Sequence, residues 1–290
     1  MSGELPHVEG VEHRFVRVNG VRIHLAEIGP DAAGPAILLL HGWPQHWYMW
    51  RQVIGGLRGE RRLLVPDLRG FGWSEAPGHG YDGETFAADQ AALLDELEIE
   101  RACVVGHDWG GWTAFLLGLL HPERIERMMV LNAPHPWPRV TPRLLAEAWR
   151  SWYSWVLASP GVGPWAMRQG WLARNILGHG NVASPFDSGE LELYVNQFQE
   201  PARADAASHL YRYYQRTFRE IVGGRWRGRR LTVPARIVFG ERDRYVSPRL
   251  LPGYEPYADD LDVELVPDSG HFIANEKPVL VVERARAFFA

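Results

Sequence analysis

The sequence predicts an α/β protein: a mostly parallel eight-stranded sheet covered by helices, with a helical cap inserted between the sixth and seventh strands. Three observations carry this expectation. Apolar, β-rich runs recur at about 13–19, 22–28, 36–40, 62–66, 101–105, 128–132, 235–239 and 262–266. From the third run onward, helical periodicity or turn residues separate them, the alternation that builds a parallel sheet with helices on both faces. Between Pro134 and Pro234 the strand pattern stops and the chain becomes helical and rich in Trp and Tyr.

The elements follow in order. The first two runs precede the alternating part. The third, Ala36 to Leu40, leads into His41-Gly42-Trp43-Pro44, and the fourth into Asp67-Leu68-Arg69-Gly70-Phe71-Gly72-Trp73-Ser74. The fifth ends in Gly106-His107-Asp108-Trp109-Gly110-Gly111, a sharp glycine-flanked turn and a helix start; the sixth ends at Asn132. Breaks at Pro160-Gly161, at Gly178 to Asn181 and at Gly223-Gly224 divide the helical stretch. The seventh run is followed by Gly240-Glu241-Arg242-Asp243, and the eighth by Asp268-Ser269-Gly270-His271-Phe272. The expected organisation is a core of residues 1–136 and 229–290 with a cap of residues 137–228.

The 290 residues are 46% hydrophobic and 23% charged, an ordinary balance for a globular chain with a sizeable core. A formal charge of −4 gives no general pull toward nucleic acid or acidic membranes, so neither is an expected partner. Cys103 is the only cysteine, which excludes an intramolecular disulfide and fits a reducing compartment. The first residues lack a basic region followed by an apolar run, so a cytoplasmic location is expected. Twelve histidines raise the question of a metal, but no H-E-x-x-H or clustered Cys/His spacing supports one. Gly78 to Gly83 matches G-x-G-x-x-G, yet Ser74 to Pro77 before it reads as a loop rather than the strand a dinucleotide site needs. No cofactor is expected.

Asp108 decides the chemistry. Serine at such a strand-to-helix elbow would attack acyl carbons. A carboxylate suits displacement at a saturated carbon bearing a leaving group, giving an alkyl ester that water can then cut. Epoxides and alkyl halides are the candidate substrates. The helix dipole behind Asp108 favours its ionised form. The backbone N–H groups of Trp43 and Trp109 are the candidate oxyanion donors, with His41 and Pro44 expected beside the substrate. His271 is the candidate base for the hydrolytic water, and Asp243, deeper in its loop than Glu241, the acid that holds it; the competing acid position after the sixth run carries Asn132. Taken alone, the glycines around Asp108 also fit a simple turn.

The segments Asp67 to Ser74, His41 to Gln45, Gly106 to Gly111, Gly240 to Asp243 and Ser269 to Phe272 together resemble the α/β-hydrolase-fold epoxide hydrolases, over almost the whole chain. The resemblance implies two cap tyrosines that activate the epoxide oxygen. Tyr153, two turns before Pro160-Gly161, matches the first, although members often follow it with Gln where this chain has Ser154. Tyr211, followed by Arg212, matches the second, with Tyr213 and Tyr214 as competitors. On a helix Tyr211 and Tyr214 share a face, and aromatic packing between cap helices is the alternative role for all of them. The implied activity is hydrolysis of a small or medium apolar epoxide to a vicinal diol with water as the only co-substrate. Haloalkane dehalogenase, which resembles the chain at Asp108-Trp109, is the second reading; a hydrolase-fold binding protein without catalysis is the third. A homodimer is compatible with all three.

Overall fold

The computed structural model describes residues 4–29, 34–183 and 185–290. Its sheet contains β1 (Glu12–Val18), β2 (Val21–Ile28), β3 (Ala36–Leu40), β4 (Leu63–Pro66), β5 (Ala102–His107), β6 (Ile125–Leu131), β7 (Ala235–Gly240) and β8 (Leu261–Val266). The order across the sheet is β1-β2-β4-β3-β5-β6-β7-β8. β2 runs antiparallel to β1 and β4, and every other neighbouring pair is parallel. All eight runs expected from the sequence are strands, with shifted ends. The first hairpin closes through Asn19-Gly20, both at positive φ (48° and 78°), so Asn19 belongs to the turn rather than to β1.

The helices are α1 (Arg51–Leu57), α2 (Gly83–Glu96), α3 (Trp109–Leu120), α4 (Pro142–Leu145), α5 (Trp152–Ala158), α6 (Val162–Arg168), α7 (Trp171–Gly180), α8 (Ser188–Asn196), α9 (Pro201–Val222), α10 (Ile273–Glu276) and α11 (Pro278–Phe289). From β3 the chain crosses by α1 to β4 on one side; from β5 it crosses by α3 to β6 on the other. Right-handed crossovers in opposite directions put α1 and α3 on opposite faces. Accordingly α1 packs with α11, and α3 with α2. The strand order therefore reverses between β3 and β5, and the crevice beyond their carboxyl ends is where open α/β sheets bind ligands. Asp108 directly follows β5 and His41 follows β3. Helices α4 to α9 all lie between β6 and β7 in the chain, with α5 and α6 packed on α9. Among the described residues no helix is long and apolar enough to cross a membrane.

β5 and α3 are buried almost throughout, and the close approach between them is made by glycine. A Cβ on Gly106 would stand 2.3 Å from the Gly110 carbonyl oxygen, and one on Gly110 only 2.1 Å from the Leu40 carbonyl oxygen. Backbone cannot yield to that contact as a flexible side chain would. Gly110→Ala should cost about 3 kcal/mol and lower the melting temperature by roughly 6–10 °C. Gly55→Ala, with open space around it in α1, should leave the melting temperature unchanged or raise it slightly. Calorimetry on the two variants checks both.

Candidate active site

Asp108 caps α3 at φ 50° and ψ −114°, a region that costs a non-glycine residue about 1–3 kcal/mol and that the packed turn imposes. Its N–H donates to the Leu131 carbonyl at 3.0 Å and its own carbonyl accepts from Trp112 N–H at 2.9 Å. The Trp43 N–H donates to Oδ2 at 2.9 Å. Gly42 makes this approach possible, since a Cβ there would lie 2.6 Å from the Asp108 Cβ. The Trp43-Pro44 peptide is cis. Burial pushes the Asp108 carboxyl up to about 6, against the opposing pull of His271 and of the Trp43 and Trp109 N–H groups. The helix terminus and its donors thus recover only part of what desolvation removes. At pH 7 the ionised form still predominates by about tenfold.

His271 Nε2 lies 3.9 Å from Asp108 Oδ1, and its Nδ1–H donates to Asp243 Oδ2 at 2.8 Å. Burial opposes a charge on the ring, but Asp243 and then Asp108 outweigh it, so the His271 pKa sits above its ordinary value. Asp243 remains a carboxylate despite burial because His271, Asn132 and backbone N–H groups hold it below the usual range. Its Oδ1 accepts from the N–H groups of Tyr245 (2.8 Å) and Val246 (2.9 Å). Glu241, the rejected neighbour, is exposed.

Two polar residues to which the sequence reading gave no role complete this framework. Asn132 donates through Nδ2 to Asp243 Oδ2 at 2.8 Å and to the Gly270 carbonyl at 3.2 Å, and accepts from Gly240 N–H at 3.3 Å. It ties the ends of β6, β7 and the His271 loop together, from a backbone at φ 47°. His107 is buried, with its pKa lowered to about 3 chiefly by desolvation, so it is neutral; Nε2–H donates to the His271 carbonyl at 2.8 Å. The His271 N–H in turn donates to the Gly180 carbonyl at 2.8 Å, anchoring the loop to α7.

His41 and Pro44, expected beside the substrate, are not against the cavity. His41 donates from Nδ1 to the Gly42 carbonyl at 3.0 Å and accepts at Nε2 from Leu68 N–H at 2.9 Å. Both ring nitrogens are thus spent on bracing the loops after β3 and β4. The Pro44 carbonyl accepts from Gln197 Nε2 at 2.8 Å. Neither residue lines the cavity. Their place in the motif is explained by loop support.

A largely apolar cavity of about 130 Å³ begins at Asp108. Space of that order holds a ring the size of benzene. Trp109 and Trp112 line it from α3, Tyr153 from α5, and Tyr211 and Tyr214 from α9. The structure separates the three tyrosines of α9. Tyr213 turns away to accept from Trp112 Nε1 (3.5 Å) and donate to Glu84 (3.1 Å). Tyr214 lies on the cavity side, but its hydroxyl is engaged with Ser151 Oγ at 3.2 Å. Tyr211 and Tyr153 meet edge to face, 5.6 Å between centroids, and Trp43 stacks on Tyr153 and meets Tyr211 edge-on. Burial, then the neighbouring phenols and Asp108, raise the Tyr153 pKa well above its ordinary value; burial and then Asp108 do the same for Tyr211. Both phenols are therefore protonated and can donate. Ser154, where relatives in the resembled family often carry Gln, accepts from the Gln215 amide at 2.7 Å, so the amide reaches this spot from α9.

A family model described as alpha/beta hydrolase fold matches residues 35–278. The AB hydrolase superfamily protein YfhM of Bacillus subtilis (strain 168) is 30% identical over 283 residues, covering 94% of this chain and 96% of the relative. The soluble epoxide hydrolase of Corynebacterium sp. (strain C12) is 28% identical over 291 residues, covering 97% and 98%. Among solved structures, epoxide hydrolase CorEH without ligand superposes with a TM-score of 0.82 at 27% identity, covering 96% of this chain and 98% of that one. The Asp108 elbow, the sheet order and these likenesses agree: the chain is a hydrolase that belongs to the alpha/beta hydrolase fold family, among the relatives of its epoxide hydrolases.

Proposed function

We propose that this protein hydrolyses an apolar epoxide to a vicinal diol through an ester on Asp108, with residues 137–228 serving as a cap over the core. The observation that carries the reading is one cavity bounded by a carboxylate at the elbow and by two protonated phenols, Tyr153 and Tyr211. A halide leaves as a weak base and needs only N–H donors, whereas an epoxide leaves as an alkoxide and needs a proton.

The geometry supports the following steps. Oδ2 of Asp108 is held by the Trp43 N–H, which leaves Oδ1 to attack the epoxide carbon. The C–O bond of the ring breaks as a phenol proton passes to the departing oxygen. The ester carbonyl then lies at Oδ2, where the Trp43 and Trp109 N–H groups stabilise the oxyanion formed when water adds to Cγ. At 3.9 Å from Oδ1, His271 Nε2 is beyond direct hydrogen bonding with the carboxylate and suited to take the proton of that water. Collapse breaks the Cγ–Oδ1 bond, the diol leaves with a proton from His271, and the Asp108 carboxyl proton returns to the phenolate.

The test is product analysis. Incubated with styrene oxide, the protein should yield diol; incubated with a bromoalkane, it should release no bromide. Bromide without diol would overturn the epoxide reading in favour of the dehalogenase, and neither product across a broad panel would favour a binding protein. His271→Gln should still form the Asp108 ester but slow its hydrolysis by about 10²–10⁴-fold, which mass spectrometry of quenched protein would reveal. The pH dependence has a defined sign. Ester formation needs ionised Asp108 and should fall as pH drops through about 6. Ester hydrolysis needs neutral His271, whose pKa is raised above 6.5, so it should fall at a higher pH. Between the two limbs the ester should accumulate, and a single shared limb would contradict these assignments.

A further inference from the structure

Thirteen large hydrophobic residues are exposed among the described residues, and ten of them fall between Val140 and Val222. Five are tryptophans, including Trp149 (68% exposed), Trp155 (61%) and Trp165 (58%). On α5, Tyr153 faces the cavity and Ser154 and Leu157 are buried, so Trp152 and Trp155 occupy the other side, and Trp149 extends that ridge in the turn before. α6, packed on α5, adds Val162 and Trp165 at helical spacing. Apolar exposure concentrated in this way marks a surface that meets something.

The cavity opens onto the same region. Val140 and Val222 are both exposed and part of its wall, so they form its rim. Charge is distributed in the same direction: residues 137–228 hold eleven Arg against seven Asp and Glu, a net of +4 on a chain whose total is −4. Arg139, Arg143 and Arg219, close in sequence to the rim residues, are exposed and make no ion pair among the described residues. The net charge of the whole chain conceals this asymmetry. A second copy is a poor occupant, because a two-fold interface would set the basic patch against itself.

We propose that this face of the cap rests on an anionic lipid surface. The tryptophans lie at the headgroup level, as amphipathic indoles do, and the arginines meet the phosphates. The cavity rim then faces the bilayer, and an apolar substrate passes from lipid toward Asp108 without crossing bulk water. The epoxide reading bears only on what enters; docking stands apart from it.

The experiment is co-sedimentation of the full chain with vesicles of phosphatidylcholine alone and of phosphatidylcholine mixed with phosphatidylglycerol. Binding should be strong to the mixed vesicles and weaken with salt. Arg143→Gln with Arg219→Gln should lower it at least tenfold, at roughly fivefold per charge. Trp149→Ser with Trp155→Ser should weaken binding to both kinds of vesicle. Both pairs should keep the parental melting temperature and the parental rate on dissolved styrene oxide. No binding to the mixed vesicles at low salt would overturn the proposal, as would binding that survives both pairs of substitutions. Conversion of a dimer to a monomer by the tryptophan substitutions, read by sedimentation velocity, would instead make this face a self-association surface. Vesicle binding is measured without substrate, so a protein that docks but makes no diol would contradict the epoxide reading alone.

Discussion

Asp108→Asn is expected to reduce diol formation from styrene oxide by a factor on the order of 10⁴ or more, because the amide cannot form the ester and the other carboxylate in the cavity wall, Glu147, is held by Ser247 and Arg249. Asp243 is likewise committed to His271, Asn132 and two backbone N–H groups. Asn has nearly the shape of Asp and can keep its carbonyl oxygen on the Trp43 N–H, so the turn should survive. Burial raises the carboxyl pKa of Asp108 to about 6. The neutral amide therefore removes a desolvated charge, and the variant should melt no lower than the parent at pH 7. The sign is that of a raised carboxyl pKa: the destabilisation from Asp108 appears as pH rises through about 6 and is absent below its ordinary value of 3.8. Loss of activity with unchanged melting is the expected pair of results; unchanged single-turnover rates would refute the nucleophile assignment.

Tyr153→Phe combined with Tyr211→Phe should slow ring opening by about 10³-fold or more, within the range a positioned general acid supplies. In the proposed mechanism the two hydroxyls serve one leaving oxygen, so one can cover in part for the other. Each single variant should lose less than half, on a logarithmic scale, of what the double variant loses. Hydrolysis of an Asp108 ester already formed uses neither phenol and should keep its rate. A burst experiment separates the steps: the double variant should show slow ester formation and no accumulation. If both tyrosines are only packing, the double variant would open the epoxide at the parental rate, and their edge-to-face contact would account for their presence.

The core of this arrangement was legible because short-range chemistry dictates it. Eight apolar runs, glycines where helix meets strand and a charged residue at each of several strand ends leave few ways to build the sheet. What the sequence did not reveal depends on contacts between distant segments. Asn132 counted only as a residue that was not an acid, yet it is the donor that holds Asp243; asparagine, which tolerates a left-handed backbone, at a strand end was the available signal. His107 had no role assigned from the sequence, and its bond to the His271 carbonyl spans 164 positions. His41 and Pro44 were placed by motif beside the substrate, whereas packing assigns them to loop support. The ambiguity among Tyr211, Tyr213 and Tyr214 needed helix rotation: Glu84 and Trp112 draw Tyr213 outward, and Ser151 occupies Tyr214.

The most direct test of the ester mechanism is a single turnover of styrene oxide, with protein in excess, in water labelled with oxygen-18. The new diol oxygen should come from Oδ1 of Asp108, so the first diol should carry no label and the label should remain in the peptide containing Asp108. Labelled diol from the first turnover, with an unlabelled Asp108, would mean that water attacks the epoxide directly, and would contradict the account.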